Sequence, residues 1–514
     1  MPDEISDSLT GWASQVGQAA STFEPRITPA GAIVHVNDGI AIVQGLDDLR
    51  IGERVDCAPS DGGPLIPALV GAIGSHGAAC ILLDEAAGIS VGSKVKSCGG
   101  AVEVPVGPEM LGRIVDPLGR PLDGLSPAET ELRLPAERSP PAILDRDLVT
   151  RPLHTGSLVI DALMPLGRGQ RELIVGDRRT GKTTLGLDAV LAQSVGDVIC
   201  VYASIGQRSA ATLQAIQIAR AAGKFENCTF VVAPADAPAG QLWLAPFSAC
   251  SIAEHFRDAG RDVLLVIDDL TKHASIHRQI GLLLRNPPGR EAFPGDTFYL
   301  HARLLERAAQ LSPACGGGSL AILAIGETQG GDIAGYIPTN LISIVDGQIV
   351  CDSKLWSLGQ RPAVDVSRSV SRVGGRAQPP ALRSLSARLK LEYAQFLELE
   401  DFSRFGGLAD ANAATRLLHG ARIRRVLAQP PNQPLGPVAQ FVLLFAVTRG
   451  LLDPFPLPAV DALRTASLSI ADQACPSLAA AIGSGQDIAN ADADALERAI
   501  NVFLRERPID ASGP

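Results

Sequence analysis

The sequence predicts a multidomain α/β chain with an N-terminal β-barrel, a central parallel sheet flanked by helices, and a C-terminal helical bundle. Three observations carry this. Short apolar runs broken by glycine fill the first hundred residues, apolar runs alternate with helical stretches over more than two hundred residues, and strand signals vanish beyond about Pro380. A length of 514 residues, at about 150 residues per domain, agrees with three domains.

Residues 1–25 begin Met1-Pro-Asp-Glu-Ile-Ser, acidic and without the basic-then-apolar order of an export signal. Over 26–106, Ala32–Val36, Ile40–Gln44 and Ala78–Leu83 read as strands of a small barrel closed by Gly-rich turns. Over 107–380 the strands Asp197–Tyr202, Phe230–Ala233 and Val263–Ile267 alternate with helices, the pattern of a mostly parallel sheet. Over 381–514 the run Ala381–Leu391 has helical spacing, and prolines at 430–431 and 454–458 break the helices.

The net charge of −10 excludes a general nucleic-acid-binding surface. Nine cysteines stand singly, with no C-x-x-C pair, and read as reduced, buried thiols of a cytosolic compartment. Phe441–Val447, the longest strongly apolar run, has the length of a core segment rather than of a membrane span.

Gly176-Asp177-Arg178-Arg179-Thr180-Gly181-Lys182-Thr183 is a G-x-x-x-x-G-K-T phosphate loop between a strand-like Leu173–Val175 and a helix-like Thr184–Ala192. Such a loop rings a triphosphate with backbone N–H groups at the positive end of a helix. Lys182 is placed to reach the β- and γ-phosphates and Thr183 to offer its hydroxyl to Mg²⁺. The second metal-side acid is Asp268, first after the run Val263–Ile267 and 86 residues beyond Lys182. Hydrolysis further requires a group that polarises the attacking water, and the polar residue after Val198–Tyr202 is Gln207. An amide orients water but is no general base near neutral pH, so Gln207 reads equally well as a plain turn residue.

These motifs in this order resemble the alpha subunit of F-type ATP synthases, over nearly the whole chain. The strongest stretches are Gly167–Thr183, Pro287–Asp296, Tyr336-Ile-Pro-Thr-Asn340 and Ser369-Val-Ser-Arg-Val-Gly374. The resemblance implies a RecA-like P-loop NTPase fold for the central domain and a ring of alternating alpha and beta subunits around a rotating gamma shaft. It implies ATP or ADP with Mg²⁺ at a site that turns over little, coupled through the whole complex to proton or sodium transport. Gln207 then stands where beta carries its catalytic glutamate, and Arg372 matches the arginine that alpha projects into the neighbouring beta site. Ser343 and Ser369 match positions used at that interface. Arg361, Pro362 and Gln429 match the adenine side of the alpha site, while Thr184 completes the phosphate loop. Residues 287–296 match the segment facing the shaft, and the N-terminal residues match the attachment to the peripheral stalk. A peripheral position on the cytoplasmic face of a bacterial plasma membrane follows from the same resemblance.

The chain departs from the family in three places. The turn after Gln207 is one residue shorter, and Pro431 replaces a second adenine-side glutamine, with Gln433 displaced. His273 and His277 stand at i, i+4 spacing on a predicted helix, an apparent metal pair better read as exposed or core histidines. A self-sufficient hexameric motor would need a carboxylate at 207, and a helicase would also need a basic, aromatic platform in the first domain; the sequence has neither. A stand-alone ATP sensor would have no use for Arg372 or the 287–296 loop.

Overall fold

The computed structural model describes residues 30–404 and 411–506. The expected stalk-attachment segment, 1–25, lies outside them. The chain divides into two compact units, with the break at Gly100–Ala101.

The first unit is a closed barrel of six strands, β1 (Ala30–Asn37), β2 (Ile40–Gln44), β3 (Glu53–Cys57), β4 (Ile66–Gly74), β5 (Gly77–Leu82) and β6 (Lys94–Ala101), in the order β1-β2-β5-β4-β3-β6. Alternate side chains, among them Ile33, Val43, Val55, Val70, Cys80 and Leu82, fill its interior, as strand alternation requires. Gly77 holds φ at +115° in the β4–β5 hairpin, where a Cβ would lie 2.3 Å from the Val43 carbonyl oxygen. β3, β4 and β6 have weaker apolar alternation than β1, β2 and β5, and the sequence reading passed over them; closure supplies the partners that make them strands.

In the second unit a nine-stranded sheet carries the site. Its main strands are β7 (Ile114–Val115), β8 (Arg171–Gly176), β9 (Val198–Gln207), β10 (Cys228–Pro234), β11 (Asp262–Asp268), β13 (Ser319–Glu327), β14 (Gly347–Cys351) and β15 (Val364–Ser371). They run in the order β15-β14-β8-β13-β11-β9-β10-β7, and the short β12 (Ala309–Gln310) pairs with β13. All pairings are parallel except β14–β15 and β12–β13. Helices α1 (Lys182–Ala192), α2 (Ser209–Ala221), α3 (Ala239–Asp258), α4 (Leu270–Leu283), α5 (Thr297–Leu305) and α6 (Tyr336–Ile344) connect the strands. Buried strands read as continuous apolar runs, which is why Val198–Tyr202 and Val263–Ile267 were legible. One boundary differs: β9 continues to Gln207, because Ala203–Ile205 stay buried and paired with β10, Ala203 and Ser204 with β11 as well. Gln207 therefore ends a strand instead of standing in a turn.

The same unit includes helices α7 (Pro380–Arg404), α8 (Ala411–Leu427), α9 (Pro437–Thr448), α10 (Pro458–Ala474), α11 (Leu478–Ser484) and α12 (Asn490–Glu506). One apolar core runs from Ile174, Phe230 and Val266 of the sheet into Leu389, Val442, Leu463 and Ile500 of these helices. The apolar run at 441–447 is buried in α9, and no described helix is long and apolar enough to cross a membrane. Seven of the nine cysteines are buried; Cys98 is exposed and Cys315 half-buried, an exception to the expectation of buried thiols that follows from their places on a strand edge and a short turn.

Arg307, 1 % exposed, pins this unit internally. Its guanidinium donates to both carboxylate oxygens of buried Glu254, at 3.0 and 2.7 Å, and to Ser251 Oγ and the Ala136 carbonyl oxygen, both at 2.7 Å. A buried pair is costly to break on one side, because the remaining charge is left uncompensated in a medium that solvates it poorly. Arg307→Ala is expected to lower unfolding free energy by about 3–5 kcal/mol, measured by urea titration; a loss below about 1 kcal/mol would show that the pair behaves as a solvated one.

Candidate functional site

The phosphate loop leaves the carboxyl end of β8 and enters α1. Gly181 takes φ +90° at the helix N-cap, a conformation that glycine adopts without strain. Leu185 N–H is the first of the helix amides to find an intramolecular acceptor, Gly181 O at 3.1 Å. The N–H groups of Lys182, Thr183 and Thr184 thus open beyond the helix end with no acceptor among the described residues, which fits an anion held there. Lys182 is nearly buried and folds its Nζ back on the Asp177 carbonyl oxygen at 2.7 Å, where Thr180 Oγ1 also donates at 2.8 Å. The Asp177 carboxylate accepts from Thr328 Oγ1 and Gly331 N–H, fastening the loop to the segment after β13. Arg178 is mostly exposed and pairs with Glu327 at 2.8 Å. Arg179, at φ +63°, is exposed.

Asp268, at the end of β11, gathers the site. Its Oδ2 accepts from Thr183 Oγ1 at 2.8 Å and Tyr202 OH at 3.0 Å, and its Oδ1 from Gln207 Nε2 at 2.8 Å. Burial pushes the Asp268 carboxyl up and these donors pull it back. The pairing of Thr183 hydroxyl with a strand-end carboxylate is the donor set that fits Mg²⁺ beside a phosphate loop. Asp269 turns away to cap α4, accepting from Lys272 N–H at 2.7 Å; burial and the neighbouring Asp268 push it up to about 7. The Gln207 amide is held at both ends, since its Oε1 accepts from Lys272 Nζ at 2.8 Å.

On the far side of the loop, Arg361 lies 3.3 Å over the Trp356 ring, and a Cβ on Gly181 would lie 3.0 Å from that ring. This brings Arg361 and Pro362 beside the phosphate loop. Gln429 is buried: its amide donates to Gly156 O and Gln433 O and accepts from Leu158 N–H, while its own N–H donates to Arg361 O at 2.7 Å. Its side chain is thereby committed to the backbone of the loops around the site.

Arg372, Ser369 and Ser343 sit elsewhere. Because β15 is antiparallel to β14, Ser371 pairs with Gly347, whereas the phosphate-loop end of β8 pairs with Cys351. Four residues at roughly 3.3 Å each put about 13 Å along the strand between Arg372 and its own phosphate loop. Arg372 is exposed, and its guanidinium has no hydrogen bond or ion pair among the described residues. Ser343 is exposed near the end of α6, with Oγ donating to Thr339 O at 2.8 Å. Ser369 is buried; its hydroxyl accepts from Val350 N–H at 2.9 Å and donates to Asp365 O at 2.5 Å. It stitches the β14–β15 irregularity three residues before Arg372.

His273 and His277 are both buried, joined by a third histidine the spacing did not reveal. His301, from α5, places Nε2 at 3.2 Å from His273 Nδ1, and His277 Nε2 is 2.9 Å from Asp296 Oδ1. Among the described residues no group of three His, Cys, Asp or Glu is arranged to hold a metal. Sequence reasoning also missed Tyr202, Lys272 and Trp356; Lys272, one turn after the Asp268-Asp269 pair, carried the only local signal.

Asp188 on α1 is buried and accepts from Asn432 N–H at 2.9 Å, and burial pushes its carboxyl from the ordinary 3.8 up to about 7. The folded chain therefore holds this proton more tightly than the unfolded one. The resulting stabilisation is complete below about pH 4 and is lost as pH rises toward 7. Asp188→Asn keeps the acceptor and removes the titration. Its stability relative to the parent protein is expected to rise between pH 5 and pH 8, read by urea midpoints; parallel pH profiles would refute the assignment.

Residues 156–371 match the family model described as ATP synthase alpha/beta family, nucleotide-binding domain, and residues 378–503 that of ATP synthase alpha/beta chain, C terminal domain. The chain is 52 % identical over 466 residues to "ATP synthase subunit alpha 3" of Paraburkholderia xenovorans, covering 90 % of this chain and 86 % of the relative. It is 53 % identical over 445 residues to "ATP synthase subunit alpha 1" of the same organism, covering 87 % and 86 %. With "ATP synthase subunit alpha 2" of Burkholderia pseudomallei it shares 53 % over 445 residues, covering 86 % of this chain and 66 % of that one. Two family models spanning the sheet and the helical region, with relatives this similar over most of both chains, show that the chain belongs to the ATP synthase alpha/beta family, among its F-type alpha subunits.

Proposed function

We propose that the chain is the non-catalytic, nucleotide-binding alpha subunit of a rotary F-type ATP synthase, holding ATP or ADP with Mg²⁺ and lending Arg372 to a neighbouring beta subunit. The observation that carries this reading is the polarity of the sheet, which sets Arg372 about 13 Å along the strand from its own phosphate loop. A guanidinium unpaired among the described residues and set that far from its own phosphate loop fits a role at another subunit's site.

At the chain's own site, the amides of Lys182–Thr184 and the Lys182 ammonium hold the phosphates, with Gly176–Gly181 shaping the loop and Arg178 and Arg179 at its rim. Thr183 and Asp268 would hold Mg²⁺, Asp268 in its water shell, and the ion would neutralise phosphate charge. Arg361, Pro362 and Gln429 frame the base. Gln207, an amide clamped between Lys272 and Asp268, cannot take a proton from water, so the bound nucleotide turns over little. At the opposite edge, Arg372 is a planar donor for charge spreading over the phosphoryl group of the beta site, with Ser343 at the same edge and Ser369 positioning the strand. The partners are beta subunits in an alternating ring, a gamma shaft against residues 287–296, and the peripheral stalk. The chain sits peripherally at the cytoplasmic face of the bacterial plasma membrane, and other subunits carry the ion.

Two outcomes test this. The purified chain is expected to bind Mg-ATP with negligible multiple-turnover hydrolysis and to lose binding in Lys182→Ala; robust Lys182-dependent turnover would make it a self-sufficient motor. In the assembled complex Arg372→Ala is expected to cut turnover by about 10³-fold or more, and a full rate would remove the trans role.

A further inference from the structure

Arg372 does not stand alone. It lines a cleft of about 290 Å³ formed by residues 146–150, Gly169, Arg171, 308–310, Asp346 and the turn after β15. Four guanidiniums, of Arg146, Arg171, Arg372 and Arg376, line this cleft against two carboxylates, of Asp147 and Asp346. Arg171 is committed to the wall: it pairs with Asp346 at 2.7 Å and with Glu306. Arg146 is likewise tied to Ala308 O at 2.9 Å and Glu306 O at 2.6 Å. Arg372 and Arg376 are both exposed, and neither guanidinium has a hydrogen bond or ion pair among the described residues.

The turn that presents Arg376 is built rather than loose. Gly374–Ala377 forms a 3₁₀ turn in which Ala377 is buried, 3.1 Å from where a Cβ on Gly167 would stand. Gly374 N–H donates to Ser371 Oγ at 3.1 Å, and that hydroxyl donates to Pro165 O at 2.9 Å. The two arginines are therefore carried by one anchored segment, four residues apart.

We propose that this cleft is an oxyanion site in which Arg376 acts beside Arg372 as a second guanidinium, holding phosphate for the reaction at the neighbouring subunit. The inference rests on the reading of Arg372 as a residue that acts in trans. A carboxylate is satisfied by one arginine fork, whereas a tetrahedral dianion offers oxygens to two forks at once. With Asp346 and Glu306 taken up by Arg171 and Arg146, the two guanidiniums left unpaired among the described residues favour the dianion. Arg376 thereby raises phosphate affinity beside Arg372.

The test is inorganic phosphate inhibition of ATP hydrolysis by the assembled alpha–beta complex carrying Arg376→Ala, with Arg372→Ala in parallel. Arg376→Ala is expected to weaken phosphate inhibition by about tenfold, the worth of one charge-assisted hydrogen bond. Should the alanine variant fail to assemble, Arg376→Gln keeps a side chain of similar reach without the charge, and the same loss is expected. An unchanged inhibition constant in an assembled variant overturns the proposal, including the outcome in which only complex yield falls. Full turnover in Arg372→Ala would instead overturn the trans role itself; an inactive Arg372→Ala beside an unchanged phosphate constant in Arg376→Ala would overturn this inference alone.

Discussion

The burial of one carboxylate organises the nucleotide-binding half of this protein. Asp268 is 2 % exposed and ionisable, a combination that costs several kcal/mol unless the group is hydrogen-bonded. Its three donors come from two elements: Thr183 from the helix after the phosphate loop, and Tyr202 and Gln207 from the middle and end of the adjacent strand. Satisfying that single group sets the register of α1 against β9 and β11. The same bond that stabilises the fold thus fixes the Thr183 hydroxyl beside the phosphate loop.

Gln207 shows how a catalytic scaffold becomes a binding one. Its amide has both a donor and an acceptor, and both are used, toward Asp268 and Lys272. A carboxylate there would meet Asp268 as a like charge at hydrogen-bond distance, and the buried pair would resist joint ionisation. The amide relieves that conflict, and an amide is no general base near neutral pH.

Sheet polarity provides the complementary half. β15 runs against its neighbours, so the residue after it emerges at the edge opposite the phosphate loop. Buried Ser369 and the Gly374–Ala377 turn hold that emergence in place, and Glu172, buried with one oxygen unpaired among the described residues, lies near it. One domain therefore offers a nucleotide site on one edge and unpaired guanidiniums on the other, an arrangement that makes sense in a ring.

By itself the sequence determined the phosphate loop, the strand–loop–helix order, the place of Asp268 and the three-part succession of barrel, sheet and helices. These depend on contiguous residues, where local periodicity and turn chemistry are decisive. The family resemblance named Arg372 and Gln207 but could not supply their surroundings. Tertiary structure alone decided that Gln207 ends a strand, that Gln429 is spent on backbone groups, that Ser369 is buried, and that Arg376 shares the cleft of Arg372. Each of those facts depends on partners tens to hundreds of residues away, brought together by strand pairing and core burial. Hydrogen-bond satisfaction and exposure belong to the packed chain, and no local pattern encodes them.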